Sequence, residues 1–258
     1  MTRVISALVM LALVVGTLAW LPSWATLMLA LLTVCFALTE YANLAQRAGI
    51  GLPTGIVVVA GLAVCAAVAL GDGVDLVLMA ATVAVGATAL AQTQGRASGA
   101  WAAAAGMFGP LYVGLPVGTF VALHASRGAE AAFVLLAVII ASDTAQYYGG
   151  RAFGRRPLAP ATSPKKTVEG AACGVVAAAL VMLAAGPLVL ELPAGLRVGF
   201  GAALAAVGLL GDLFESRLKR EAGVKDVSGL IPGHGGVLDR VDSLLFAVPL
   251  YDIVLRGL

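Results

Sequence analysis

The sequence predicts an all-α polytopic membrane protein with about nine transmembrane helices, its N-terminus cytoplasmic and its C-terminus outside. Three observations carry that expectation. Of the 258 residues, 60% are hydrophobic and only 12% charged, whereas a soluble domain carries about 25% charged residues. Mean hydropathy is +0.99. The few basic residues gather in alternate loops, as the retention of Lys and Arg on the cytoplasmic side of a membrane requires.

A spanning helix takes roughly 20 apolar residues, and runs of that order lie at 4–20, 25–45, 52–70, 73–93, 99–122, 129–149, 169–190, 194–216 and 238–256. The first follows Arg3. The Leu-Pro-Ser-Trp after it lacks the small residues of a signal cleavage site, so it reads as a retained span. The second run ends at Arg47 and the fourth is followed by Arg96. The loop after the sixth carries Arg151, Arg155, Arg156, Lys165 and Lys166, and the region after the eighth carries Arg217, Lys219, Arg220, Lys225 and Arg240. With Arg3, these place 13 basic residues on one side; Arg127, Arg197 and Arg256 place 3 on the other and complete the 16 present. The runs leave no room for a separate soluble domain, so 1–258 reads as a single integral membrane domain. Cys35, Cys65 and Cys173 are odd in number, sit in apolar runs and show no Cys-x-x-Cys spacing, which fits small buried hydrophobes better than metal ligands or disulfides.

Two polar islands fall on the predicted cytoplasmic side, at 142–170 and 211–242. Basic loops can merely anchor a protein to anionic headgroups, and Arg47 and Arg96 read that way. The islands also hold acids, glycines and a histidine at definite spacings. In GDLFESRLKR, Asp212, Glu215, Ser216 and Lys219 fall at i, i+3, i+4 and i+7, one face of a helix. Asp239 and Asp242 form a similar face, and Asp143 and Tyr147 a third. An acid inside a membrane helix costs at least about 2.5 kcal/mol unless it pairs or faces water.

Carboxylates converging from several helices repel unless a cation lies between them, and all-oxygen ligation suits Mg²⁺ or Mn²⁺ rather than zinc. Lys165, Lys166, Lys219, Arg220 and Lys225 would be surplus around a bare cation but suit one that carries phosphates. Gly233, Gly235 and Gly236 would let backbone N–H groups approach phosphate oxygens. SPKKT at 163–167 has phosphate-binding chemistry without the glycine framework of a P-loop. Other close glycine pairs, such as Gly149 with Gly154 and Gly201 with Gly208, read as helix packing.

The run SRLKREAGVKDVSGLIPGHGGVLDRVD, 216–242, resembles the signature of the phosphatidate cytidylyltransferase (CDP-diacylglycerol synthase) family: S-x-L-K-R, four residues, K-D, then P-x-H-G-G-x-x-D-R-x-D, with every fixed position filled. GDLFES upstream and the DT, GR, FGR, AP and SPKKT pieces of the first island are also similar to that family. The resemblance covers the C-terminal half, with 131–258 as the catalytic half; 1–130, the N-terminal helices, match in hydropathy alone. Gln146 departs from the small residue expected there.

The resemblance implies a transferase that joins CTP and phosphatidate to CDP-diacylglycerol and pyrophosphate. It implies Mg²⁺, with Mn²⁺ as a substitute and room for a monovalent cation such as K⁺. Asp212, Asp239 and Asp242 would be the metal ligands. Asp212, Asp239, Lys225, Asp226 and His234 would be catalytic, His234 as a phosphate donor or loop organiser, because a phosphate nucleophile needs no deprotonation. Ser163, Lys165, Lys166, Thr167, Ser216, Lys219, Arg220, Gly235, Gly236 and Arg240 would bind phosphate or substrate, with Asp143 and Glu215 as further candidates. The implied setting is the cytoplasmic (inner) membrane of the cell, multi-pass, with the active site facing the cytoplasm. The lipid bilayer would be a partner and nucleic acid would not, and a homodimer is compatible with the pattern. The rival from another class is a membrane cation transporter or channel, since intramembrane acids such as Asp143 and Asp212 also mark ion paths. Paired broken helices in two related halves would favour it, whereas here the polar residues crowd into the second half.

Overall fold

The computed structural model describes residues 2–93, 98–228 and 235–257, with side chains over 9–92, 99–228 and 235–257. Helices dominate: α1 (Thr2–Trp20), α2 (Ser23–Arg47), α3 (Thr54–Leu70), α4 (Val74–Thr93), α5 (Ser98–Gly109), α6 (Leu115–Phe153), α7 (Val168–Ala185), α8 (Ala194–Glu221) and α9 (Leu238–Arg256). A π turn at Pro110–Gly114 joins α5 to α6. Proline there has no N–H to give to the α ladder, and local widening to the π pattern is a usual accommodation. Gly128, at φ 80° and ψ 178°, interrupts α6 between the two runs that the sequence separates at 122 and 129.

Among the described residues, five helical stretches are long and apolar enough to cross a membrane: Ser23–Arg47, Val74–Gln92, Gly99–Phe153, Val168–Leu188 and Ala194–Glu221. Val9–Trp20 and Thr54–Leu70 are shorter apolar helices. Large apolar side chains such as Trp20, Leu70, Val83 and Trp101 lie on the outside, as a lipid solvent permits and water does not.

The all-α expectation holds, and the loop after α6 adds one short hairpin. Pro157–Ala159 (β1) and Ser163–Thr167 (β2) form a two-stranded antiparallel hairpin. Pro157, Pro160 and Pro164 explain it: each biases the preceding residue away from helix toward extended backbone. Thr167 closes the hairpin and caps α7, its hydroxyl accepting the Gly170 N–H at 3.1 Å. Glu169 ties down the approach by accepting the backbone N–H groups of Arg155 and Arg156 at 3.0 and 3.2 Å.

The chain divides into two compact units. The first comprises residues up to 125 together with 218–241. Within it α2, α3, α4 and α5 pack in sequence order, around Val34, Leu38, Val57 and Val64. Tyr41 gives its hydroxyl to the Ala105 carbonyl at 2.8 Å, and buried His124 pairs with Thr26 at 3.0 Å. The second unit comprises 126–217 and 242–258. Its core includes Leu135, Val138, Met182, Leu204 and Tyr251. Gly149 lies against Cys173, Gly201 against Ala178 and Met182, and Gly208 against Ile139, so these glycines serve close helix packing.

Candidate functional site

Two polar clusters stand out, one in each unit. In the second unit Asp212 of α8 accepts the Lys166 ammonium from β2 as an ion pair. Ser216, one turn along α8, offers its hydroxyl to the other Asp212 oxygen at 3.4 Å. The side chains of Lys166 and Asp212 are 22% and 29% exposed, so the protein does not seal the pair off. Side chains alternate across a strand; accordingly Lys166 faces Asp212 while Lys165 is exposed. Asp242, early in α9, sits in the electrostatic field of Asp212, Asp143 and Lys166. Asp143 lies on α6 with the Gln146 amide 3.5 Å away. Gln146, the departure noted in the sequence, lies over Gly174 of α7, where a Cβ would collide with it. Glu215 is fully buried on α8. Ser163 and Thr167 are half-buried at the two ends of β2.

In the first unit the Lys219 ammonium meets Asp239 Oδ1 at 2.5 Å, and these side chains are only 14% and 9% exposed. The other Asp239 oxygen accepts the Gly236 N–H at 3.0 Å. Gly235 has φ 79°, the left-handed region that favours glycine. A Cβ on Gly236 would stand 2.6 Å from a carboxylate oxygen of Glu40. These glycines therefore bring the backbone close to protein carboxylates. Arg220, Lys225, Asp226 and Arg240 are exposed. His234, with Gly233, lies outside the described residues.

Of the metal ligands expected from the sequence, Asp212 and Asp242 belong to the second unit and Asp239 to the first. Among the described residues no group of three or more His, Cys, Asp or Glu side chains is placed to hold a metal ion. The oxygens of Asp212 and Asp242 nevertheless have the right chemistry, because Mg²⁺ often takes only one or two carboxylates and completes its shell with water and substrate phosphate oxygens.

Sequence reasoning passed over Glu40 of α2. It is 5% exposed, accepts the Ser228 hydroxyl, and receives the backbone N–H groups of Val237 at 3.1 Å and Leu238 at 2.8 Å. The signal was a lone acid within an apolar run, where an ionisable side chain is expensive unless it has a task.

The profile of the cytidylyltransferase family matches residues 1–258. Similar proteins include the phosphatidate cytidylyltransferase of Helicobacter pylori, 43% identical over 136 residues, 53% of this chain and 51% of that protein. That of Haemophilus influenzae is 48% identical over 131 residues, 46% of this chain and 44% of that protein. That of Staphylococcus epidermidis is 38% identical over 152 residues, 56% and 55% respectively. The chain spans about half the length of the curated relatives it matches.

Proposed function

The chain belongs to the cytidylyltransferase family, and on that premise we propose that it joins CTP and phosphatidate to CDP-diacylglycerol and pyrophosphate, a step of phospholipid biosynthesis. The observation that carries this reading is the Lys166–Asp212 pair. It ties the SPKKT strand of one polar island to the GDLFES helix of the other, joining basic and acidic chemistry that lie 46 residues apart in the chain.

A phosphomonoester such as phosphatidate carries about −1.5 to −2 charge near neutrality. Its oxygen attacks the α-phosphorus of CTP, a P–O bond forms, and the bond to the β-phosphate breaks with its electron pair leaving on pyrophosphate. No general base is needed; the task is to bring anions together in line and to neutralise charge on the leaving group. Lys166, oriented by Asp212, presents its remaining N–H donors to phosphate oxygens. Exposed Lys165 adds positive charge on the opposite face of β2. Asp212 and Asp242 would hold Mg²⁺, or Mn²⁺ in its place, which when bound supplies further charge neutralisation at the phosphates, and Asp239 keeps the catalytic role that the family resemblance gives it. The test is purified protein with phosphatidate, Mg²⁺ and each of the four nucleoside triphosphates in turn: a nucleoside-diphosphate lipid is expected with CTP, and none with ATP, GTP or UTP. Equal use of all four would refute cytidine selectivity.

The proposal extends to topology: nine passes through the cytoplasmic membrane, with the N-terminus and both polar islands facing the cytoplasm. The 13 to 3 division of basic residues supports it. Single cysteines at 155–166 or 221–228 are expected to label from the cytoplasmic side and those at 125–130 or 191–197 from the opposite side. Labelling of both islands from outside would contradict the arrangement.

A further inference from the structure

Resting on that reading, we propose that Glu40 is a positioning residue for the reaction, clamping the Gly236 turn and the start of α9 so that Asp239 is held in place. Among the described residues its donors are Ser228, Val237 and Leu238, and the last two are amides at the N-terminus of α9. The first amides of a helix have no intrahelical acceptor and carry the positive end of its dipole. A local Ser, Thr, Asp or Asn usually caps them, but here the preceding residues are Gly236 and Val237. The cap comes instead from α2, 197 and 198 residues away in the chain.

The same short turn serves Asp239. Gly236 gives its N–H to Asp239 while its Cα side lies against Glu40, leaving no room for a Cβ. Lys219 holds the other Asp239 oxygen at 2.5 Å. Glu40 and Asp239 thus grip one stretch of backbone from two sides, and a shift at Glu40 passes through Gly236 to Asp239. Misplacement of a reacting group by about 1 Å can cost on the order of 10²-fold in rate.

Glu40→Gln keeps the side-chain volume but turns one acceptor oxygen into a donor facing other donors. With the purified full chain, phosphatidate and CTP, kcat is expected to fall on the order of 10²-fold while both KM values stay within about 3-fold. Hydrogen exchange is expected to quicken in peptides covering 235–243 and to hold steady in α3 and α4. Glu40→Asp, which keeps both oxygens, is expected to recover part of kcat. A kcat within about 3-fold of wild type, or exchange quickened evenly along the chain, would overturn the proposal. If Glu40→Gln cannot be recovered folded, Ser228→Ala decides: a kcat lowered about 3- to 10-fold at constant KM supports the clamp, and an unchanged kcat overturns it. Wild-type protein inactive with phosphatidate and CTP would refute the reaction, while the exchange measurement would still judge the clamp.

Discussion

Asp212→Asn is expected to lower kcat by about 10²- to 10³-fold while leaving a folded protein, the scale seen when a preorganised electrostatic group is removed from an active site. The change strips Lys166 of its counter-charge and frees the ammonium to take other orientations. It also removes one of the two carboxylates proposed to hold Mg²⁺. Folding should tolerate it, because the pair is 22% and 29% exposed and its loss leaves no fully buried, unpaired charge. Asp239→Asn is a poorer probe: its pair with Lys219 is 9% and 14% exposed, and breaking a desolvated pair costs roughly 3–5 kcal/mol. Steady-state kinetics and thermal unfolding in detergent, on the same preparation, separate the two effects. Turnover within about 3-fold of wild type would remove Asp212 from the site.

Chelation of divalent cations is expected to abolish turnover, with full recovery on adding Mg²⁺ and recovery with Mn²⁺. Asp212, Asp143 and Asp242 share one field with Lys166, and two phosphate-bearing substrates would add several negative charges to it. One ammonium cannot offset them. Zinc is not expected to substitute, since the donors are all oxygen. Asp242→Asn is expected to raise the Mg²⁺ concentration for half-maximal rate by at least about 10-fold, since losing even an outer-shell partner of a metal ligand costs roughly that much in affinity. Undiminished turnover in excess chelator would contradict the role given to these acids.

Hydropathy located the helices closely because a bilayer leaves little choice of backbone structure: the run at 25–45 became Ser23–Arg47. Where polarity takes over, it misled. The run at 194–216 continues to Glu221, because the Asp212–Ser216–Lys219 face extends the helix beyond its apolar part. The hairpin at 157–167 falls in the loop after the sixth run, where its prolines favour extended backbone but nothing local announces the pairing. In the site, residue types were legible and pairings were not. Lys166 and Lys165 looked equivalent until strand alternation turned one toward Asp212 and the other away. Asp239 is held by Lys219 and by the Gly236 N–H, pairings that its motif does not announce. Glu40 carried no motif at all, and its partners lie 188 to 198 residues further along the chain, a separation no local pattern can encode.

The most direct test of the proposed reaction follows phosphorus. With CTP labelled at the α-phosphate, phosphatidate and Mg²⁺, label is expected in the lipid product, while label placed at the β- or γ-phosphate is expected in pyrophosphate. The same protein should regenerate CTP from CDP-diacylglycerol and pyrophosphate. Lipid labelled from the γ-position, or release of CMP or free phosphate without any CDP-lipid, would contradict nucleotidyl transfer even if Asp212 proved indispensable.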